Sequence, residues 1–250
     1  MPFVRRSFPK PGLAVLALAC LLAVVLPAIG SNADTDARVR LLRDRAGKVN
    51  GFLAGLSVQA GPASQSGTLL YLAPDHVHME MKIPGLGKQK VVSDGKILWT
   101  ITPDARLATK VDLEAIRKKW RRPLPNQATA IRDVFEVMKP GSARFIKEEK
   151  VEGVTTQLFE GVPDVGADMP RDAAVPDRVR AWVGEDGLLR RQVLMRGGQV
   201  LMDATFKIKN TNPRIEPGLF TFTPPKDYEV QDMTESTLQS LRSLNSGSKT

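Results

Sequence analysis

The chain has 250 residues, with 36 Lys and Arg against 27 Asp and Glu, so its formal net charge is +9. This length allows one large domain or two small ones, and the basic balance favours anionic partners such as lipid headgroups. The single cysteine, Cys20, lies in a predicted leader, so disulfides and cysteine catalysis are excluded from the chain that remains after cleavage.

Residues 1–33 are predicted to be a cleaved export signal. Arg5, Arg6 and Lys10 form a basic start, residues 12–30 carry no charge, and small residues follow at 31–33. This is the order of parts in a secretory signal, and its removal lowers the net charge from +9 to +6. A retained anchor is the alternative, because 19 uncharged residues are just long enough to span a bilayer.

The leader leaves the export route open. Its residues 5–10 read RRSFPK and are similar to a twin-arginine signal, while the ordinary secretory route fits equally well. Lipidation of Cys20 is not expected, because the apolar run LLAVVLP follows it where a lipidated cysteine would begin a polar mature chain.

The first predicted element of the mature chain is an amphipathic helix at 36–54. Its apolar residues recur at helical intervals. They are Val39, Leu42, Ala46, Val49 and Leu53. Gly55 is expected to end this helix, and residues 61–67 are expected to form a loop.

From residue 68 the pattern changes to the alternation that is typical of β-strands. A strand is predicted at 68–72, and the next at 76–83 reads HVHMEMKI. Alternation places one set of its side chains on a common apolar face. They are Val77, Met79, Met81 and Ile83. Residues 90–101 predict a hairpin, since Ser93-Asp94-Gly95 supplies a glycine at its turn.

Two helices are predicted next, at 112–120 and 127–138, because the intervening Pro123 and Pro125 forbid one continuous helix. Strands return at 143–162, and residues 163–177 are expected to be an exposed loop.

Three further strands and a closing strand complete the pattern. They are predicted at 178–183, 188–196, 199–209 and 218–230, and the Ser-rich tail after Met233 is expected to be a short helix or disordered. Eight to ten antiparallel strands with about three helices predict a mainly β fold, built on one curved sheet with an apolar face and a solvent face.

Methionines are frequent on the predicted apolar face. Met79 and Met81, Met195 and Met202 lie on three strands, and Met138 lies on a helix. Methionine is unbranched and polarizable, and it suits surfaces that adapt to variable apolar partners. The alternative is an ordinary core in which methionine fills gaps.

Two motifs resemble the periplasmic outer-membrane lipoprotein carrier family, LolA. The hairpin VVSDGKILWTITP at 91–103 resembles that family's Ser-Asp-Gly turn and aromatic strand, and LFTFTPPKDYEVQD at 219–232 resembles its closing strand. The order of the remaining elements is also similar, so the resemblance covers most of 36–232. The family often has Arg-Pro after its second strand, where the arginine tethers a helical lid. This chain has Ala73-Pro74 there.

The resemblance implies an incomplete antiparallel β-barrel whose helices cover a hydrophobic cavity for acyl chains. It divides the chain into a signal at 1–33, a lipid-binding domain at 34–232 and a tail at 233–250. The expected function is a monomeric periplasmic carrier that takes lipids or lipoprotein acyl chains from a donor to an acceptor protein. Its expected lining residues are Val77, Met79, Met81, Trp99, Ile101, Met138, Val193, Met195, Met202, Phe206 and Phe222.

The sequence offers little evidence for catalysis. His76 and His78 are the only histidines and point to the polar side of their strand, and no third metal ligand, serine-nucleophile elbow or phosphate loop accompanies them. We therefore expect a protein that is not an enzyme and has no cofactor. Two alternatives stay open, namely an envelope sensor of the same fold that binds a protein, and a structural domain with a filled core.

The densest basic run is RKKWRR at 117–122. It lacks the interleaved aromatic residues of a nucleic-acid site, and no nucleic-acid partner is expected. A solvated helix end is the ordinary interpretation, with docking to anionic headgroups or an acidic partner as the alternative.

Overall fold

The computed structural model of the protein describes residues 32–85, 87–120, 131–164 and 175–246. These residues contain three helices, α1 (Asn32–Gly47), α2 (Leu113–Trp120) and α3 (Thr234–Ser246). They also contain 12 strands. In chain order the strands are β1 (Gly51–Ala60), β2 (Ala63–Leu72), β3 (His76–Ile83), β4 (Gly87–Asp94), β5 (Ile97–Thr102), β6 (Leu107–Asp112), β7 (Arg144–Val151), β8 (Val154–Gly161), β9 (Arg178–Gly184), β10 (Leu189–Arg196), β11 (Gln199–Asn210) and β12 (Glu229–Asp232).

The described strands form one curved and unclosed sheet in the order β12-β6-β5-β4-β3-β2-β1-β11-β10-β9-β8-β7. It consists of two meanders, β1–β6 and β7–β11, which meet where β1 pairs with β11. Every pairing between these strands is antiparallel except that of β12 with β6, which is parallel. The expected class, mainly β with helices and an incomplete barrel, is confirmed to this extent.

One face of the sheet, here called the core face, carries the main apolar core. Strict alternation places Phe52 of β1, Leu69 of β2 and Val77 of β3 on this face. Phe159 of β8 lies on the same face. These four side chains are at most 4% exposed. The opposite face is here called the outer face.

Helix α1 packs on the core face through Leu42 and Ala46, which are 1% and 2% exposed. Gly187, in the turn between β9 and β10, allows this close approach. Its φ is +81°, and a Cβ there would lie 2.7 Å from the backbone nitrogen of Ala46. The turn therefore requires glycine both for its conformation and for the space that α1 occupies.

Helices α2 and α3 pack on each other at the β6 edge of the sheet. Ile116, Leu238 and Leu241 form their shared cluster. Asp112 begins α2, because its carboxylate accepts a hydrogen bond from the backbone N–H of Ala115 at 2.8 Å. No helix in the described ranges has both the length and the apolar character needed to cross a membrane.

Several expected elements differ from the structure. The helix expected at 36–54 ends at Gly47, and the loop expected at 61–67 lies mostly in β2. Strands β1 and β6 were not predicted. The strand expected at 218–230 is a 3-10 turn, an extended segment and the short β12.

Other expectations are confirmed by the strands and turns. The strands β3, β7, β8, β9, β10 and β11 lie where alternation predicts them, and Gly95 turns between β4 and β5 with φ +82°. Of the helix expected at 127–138, residues 127–130 lie outside the described residues. The described part is helical only at 131–132 and continues as a 3-10 turn, Val134–Val137, so Met138, expected on a helix, has an extended backbone. Residues 165–174 of the loop expected at 163–177 and residues 1–31 of the leader lie outside the described part, so the domain boundaries stay a prediction.

Candidate functional site on the core face

Strand β3 presents Val77, Met79 and Met81 to the core face, as alternation predicts. Val77 is 4% and Met81 is 9% exposed, whereas Met79 is half-buried. Met81 lies opposite Gly67 of β2, where a Cβ would lie 2.7 Å from its sulfur. The absence of a side chain at Gly67 therefore provides the space for the methionine.

Strand β11 presents Met202, Ala204, Phe206 and Ile208 to the same face. Phe206 lies opposite Leu56 of β1 and Ala204 opposite Val58. Phe206 and Ile208 are partly buried and pack against the main core, and Met202 is half-buried. The methionines of β3 and β11 are thus on one face of the sheet.

The core face has a filled part and a half-buried part. In the filled part, α1 and residues 131–138 pack against β8, with Phe135 edge-on to Phe159 at 5.0 Å between ring centroids. Met138 belongs to it and is 3% exposed. The half-buried part keeps apolar side chains partly accessible. It contains Met79, Ile83, Leu194, Met202, Phe206 and Ile208.

Five of the expected lining residues lie on the outer face. Trp99 pairs across the strands with Val92, and with Ile101 it forms a cluster that Phe222 and Tyr228 cover. The rings of Trp99 and Phe222 are edge-on at 5.5 Å. The structure therefore does not bring Trp99, Ile101 and Phe222 together with the methionines of β3.

Val193 and Met195 of β10 also lie on the outer face. They pack with Leu158 and Trp182 in a separate cluster, while their neighbour Leu194 turns to the core face opposite Met202. The outer face thus contains two apolar clusters, which differs from the solvent face that the sequence suggests.

Two arginines stabilise the turn after β2: Arg132, which the sequence analysis did not single out, and Arg117 of the basic run. Arg132 donates a hydrogen bond to the Tyr71 hydroxyl at 2.8 Å, and that hydroxyl donates to the carbonyl oxygen of Pro74 at 2.7 Å. Arg117 of α2 pairs with Asp75 at 2.8 Å. Although Ala73 stands where the resembled family has arginine, arginines from other segments reach the same turn.

Burial raises the pKa of the Tyr71 phenol above its usual range, and the neighbouring Arg132 only partly offsets this effect. The hydroxyl therefore stays protonated at neutral pH and can donate to Pro74 while it accepts from Arg132. In the sequence, the feature that points to this turn is Ala73, which stands where the resembled family has arginine. The contact between Tyr71 and Arg132 has no signal in the sequence.

The two histidines hold the segment that follows β11 against the outer face. His78 Nδ1 lies 2.7 Å from the carbonyl oxygen of Leu219, and the His76 ring is edge-on to Phe220 at 5.2 Å. In the basic run, Arg117 and Lys119 pair with Asp75 and Glu235, respectively. Its residues 121 and 122 lie outside the described part of the chain.

The depressions on the sheet include two that are lined by described residues. One, of about 420 Å³, is lined by residues of β2, β3 and β4 and by Pro103. The other, of about 440 Å³, lies between the β7–β8 and β9–β10 turns and residues 205–211. A cavity covered by the helices, which the resemblance implies, stays a prediction.

Comparisons with known proteins give a likeness in fold. No known protein family and no curated protein matches the sequence. An uncharacterized conserved protein from Thermus thermophilus superposes with a TM-score of 0.53 at 14% identity, over 78% of this chain and 99% of that protein. At this identity the likeness concerns the fold alone.

Two further solved structures superpose less well. The lipoprotein LppX of Mycobacterium tuberculosis gives a TM-score of 0.48 at 10% identity, over 72% of this chain and 95% of that one. MucB, in its complex with MucA from Pseudomonas aeruginosa, gives 0.46 at 13% identity, over 76% and 61% of the respective chains. These two scores are too low to carry an inference about this chain.

Proposed function

We propose that the protein is an exported carrier that binds the acyl chains of lipids or lipoproteins reversibly on the core face of its sheet. Binding requires no covalent step, so the protein acts as a carrier and not as an enzyme. The proposal places it in the periplasm, as the leader at 1–33 and the resemblance of 91–103 and 219–232 suggest, with membrane-bound donor and acceptor proteins as its partners.

The observation that carries this proposal is the half-buried part of the core face. Met79 and Met202 lie on the same face of one curved sheet, beside a part that α1 and residues 131–138 fill. Apolar side chains that a folded protein leaves partly accessible on its inner face mark a binding surface. Methionine suits a guest of variable shape because its side chain adapts without branching strain.

The energetics of transfer are consistent with this surface. Removing one methylene from water is worth about 0.8 kcal/mol, so an acyl chain of about 16 carbons gains on the order of 10 kcal/mol when it is sheltered. A carrier must supply most of this free energy to hold a lipid outside a bilayer. It must also release the lipid, and a partly open apolar face permits release more readily than an enclosed core.

The proposal is tested by replacing Met79 or Met202 with arginine. A buried charge on the core face would oppose the binding of hydrocarbon, so we expect Met79→Arg and Met202→Arg each to reduce lipid uptake at least about tenfold. Uptake is measured with a fluorescent fatty acyl probe, and lipids that co-purify without detergent are identified by mass spectrometry of organic extracts.

Val200→Arg provides the matched control, because Val200 is on the same strand as Met202 and is 55% exposed. We expect this variant to bind the probe as the unmodified protein does. Full uptake by both methionine variants, with unchanged melting temperatures, would overturn the proposal. So would a purified protein that contains no lipid and forms a stable complex with the ectodomain of a membrane protein.

A further inference from the structure

Four lysines on the outer face form two groups around the centre of the sheet. Lys82 of β3 pairs across the strands with Lys88 of β4, and Lys207 and Lys209 lie on β11. All four are exposed. Strands β11 and β3 are three strand positions apart, so about 14 Å separates the two groups.

The carboxylates on β3 and β11 themselves already have cationic partners. Glu80 pairs with Lys90 at 2.9 Å and with His78 at 3.2 Å, and Asp203 holds Arg191 through two hydrogen bonds of 2.9 and 2.6 Å. In the described part of the chain, no ion pair involves Lys82, Lys88, Lys207 or Lys209. Two exposed carboxylates lie nearby and have no ion pair among the described residues, Asp104 beside Gly87 and Glu152 in one depression with Lys207 and Lys209. The four lysines against these two carboxylates leave the region with a net surplus of two positive charges.

The hydrogen bond from Lys90, followed by that from His78, lowers the pKa of Glu80. Glu80 consequently stays ionised and keeps Lys90 engaged over the neutral range. The four unpaired lysines are thus the groups that are available to an anion.

The surface between the two lysine groups is low and polar. Ser57, Ser66 and Thr68 are exposed there on β1 and β2, and a Cβ on Gly55 would lie 3.6 Å from Lys209 Cε. The depression of about 420 Å³ adjoins this strip at β2 and extends over β3 and β4, with Ser66, Thr68, Lys82, Lys88 and Lys90 among the residues of its wall. Hydroxyl groups and ammonium groups are both donors to phosphate oxygens.

The neighbouring part of this side of the sheet, over β3 and β5, is covered by the segment that follows β11. Leu219, Phe220 and Phe222 lie over His78, His76 and Trp99, respectively. The polar strip between the two lysine groups, here called the lysine-bordered strip, lies beside the segment that contains Leu219, Phe220 and Phe222. It has no aromatic anchor of the kind that the centre of a protein–protein interface uses, and its charge complements an anionic surface.

We propose that the outer face, through Lys82, Lys88, Lys207 and Lys209, docks the protein on the surface of an anionic phospholipid bilayer. The lysines attract the phosphate groups from both sides of the polar strip, and the serine and threonine hydroxyls donate to phosphate oxygens between them. Because the site lies on the opposite face from the methionines, docking does not require that the core face bind an acyl chain.

The test is co-sedimentation of the mature protein with vesicles. We expect binding to vesicles of equal phosphatidylglycerol and phosphatidylcholine, and little binding to phosphatidylcholine alone. Since each lysine at an anionic surface strengthens binding by about fivefold, replacing all four by glutamine should weaken binding at least about thirtyfold. Raising the salt to about 0.5 M should release the unmodified protein, because the charges are exposed.

A control variant removes the same charge elsewhere on the protein. It replaces the exposed residues Lys48, Lys96, Lys139 and Lys150 with glutamine. We expect the affinity of this control variant for the anionic vesicles to fall by less than about threefold. Equal losses in the two variants, or equal binding to both kinds of vesicle, would overturn the proposal. Capture of an acidic protein without any binding to vesicles would also overturn it.

Met79→Arg separates this inference from the proposed carrier function. That variant should still sediment with anionic vesicles while its acyl-probe uptake falls. Docking that disappears in Met79→Arg but persists in the four-lysine variant would place the membrane contact on the core face and contradict the inference.

Discussion

Tyr71 joins three segments through a single hydroxyl group. The ring is 1% exposed and lies 5.3 Å from the Phe52 ring, so the side chain belongs to the core of β1 and β2. Its hydroxyl accepts from Arg132 and donates to Pro74. A buried polar group contributes little when it is satisfied and costs much when its partner is removed, so this contact specifies where residues 131–138 lie.

Tyr71→Phe should therefore destabilise the protein by about 1–3 kcal/mol, because Arg132 loses a partner while it stays partly buried. Urea unfolding followed by circular dichroism measures the change. Tyr228→Phe is the control, since Tyr228 packs on Phe222 and its hydroxyl makes no hydrogen bond within the described ranges. A loss of the same size in both variants would mean that the phenol of Tyr71 contributes packing alone.

The residues of β3 could be assigned to a face from sequence, whereas those of β5 could not. His76–Ile83 alternates without a break, and only one of its two sets is apolar. In β5, Ile97, Trp99 and Ile101 alternate with Leu98, so both sets contain apolar residues. The covering segment with Phe222 gives the outer face its own apolar cluster, and a distant segment of this kind leaves no local signal.

Asp232 fixes the start of α3 at the end of β12. Its carboxylate accepts a hydrogen bond from the backbone N–H of Thr234 at 3.0 Å, and the Thr234 hydroxyl in turn accepts one from the backbone N–H of Asp112 at 2.9 Å. Hydrogen bonds from the hydroxyl and backbone N–H of Thr234, together with Lys110, lower the pKa of Asp232 from 3.8 to about 2. One carboxylate thus couples α3 to the start of α2.

Because this pKa is lower in the folded protein, Asp232 stabilises the fold above its unfolded pKa, and the effect is lost as the pH falls toward about 2. Asp232→Asn should lower the melting temperature at neutral pH, and the difference from the unmodified protein should shrink between about pH 4 and pH 2. Calorimetry over this range measures it. Asp227→Asn removes an exposed ion pair with Arg106 and should change the melting temperature little. If the melting temperature of Asp232→Asn differs from that of the unmodified protein by the same amount at every pH, the lowered pKa of Asp232 does not stabilise the fold.

Strand β1 illustrates why the first helix was predicted too long. Val49 and Leu53 continue the helical spacing of Leu42 and Ala46, yet Gly51–Ala60 also alternates, with Phe52, Ala54 and Leu56 buried. Two periods thus fit residues 51–54, where the expected helix and β1 overlap. Pairing with β2 and β11 on both sides decides for a strand. β2 follows after a turn of two residues, but β11 is too distant in sequence to be part of a local pattern.

At the scale of the whole molecule, α1 is fastened to the β9–β10 turn at Gly187. Gly187→Ala should destabilise the protein by at least about 2 kcal/mol more than Gly153→Ala. Both glycines have positive φ, +81° and +83°, but a Cβ at Gly187 meets the backbone of α1 while one at Gly153 meets nothing within 4 Å. Denaturant unfolding of the two variants compares them directly, and equal losses would mean that α1 is not held there.

The sheet architecture could be anticipated as a whole because most strands alternate and most turns contain glycine. The different character of its two faces could not. The sequence suggests one apolar face and one solvent face, whereas the outer face carries apolar clusters, a covering segment and a lysine-bordered strip. Which strands curve toward one another depends on pairings such as β1 with β11, and these appear only in three dimensions.

The pairing of β1 with β11 also determines when the sheet can finish folding. During synthesis from the N-terminus, β1 emerges early and can pair at once with β2, but its other edge waits until β11, near the end of the chain, has been made. Until then, only some of the side chains that bury Phe52 in the folded protein are present. Contacts between distant segments form slowly, and an unpaired central strand invites pairing with other chains. A chaperone that shields this protein before it folds would therefore act best on residues 51–60.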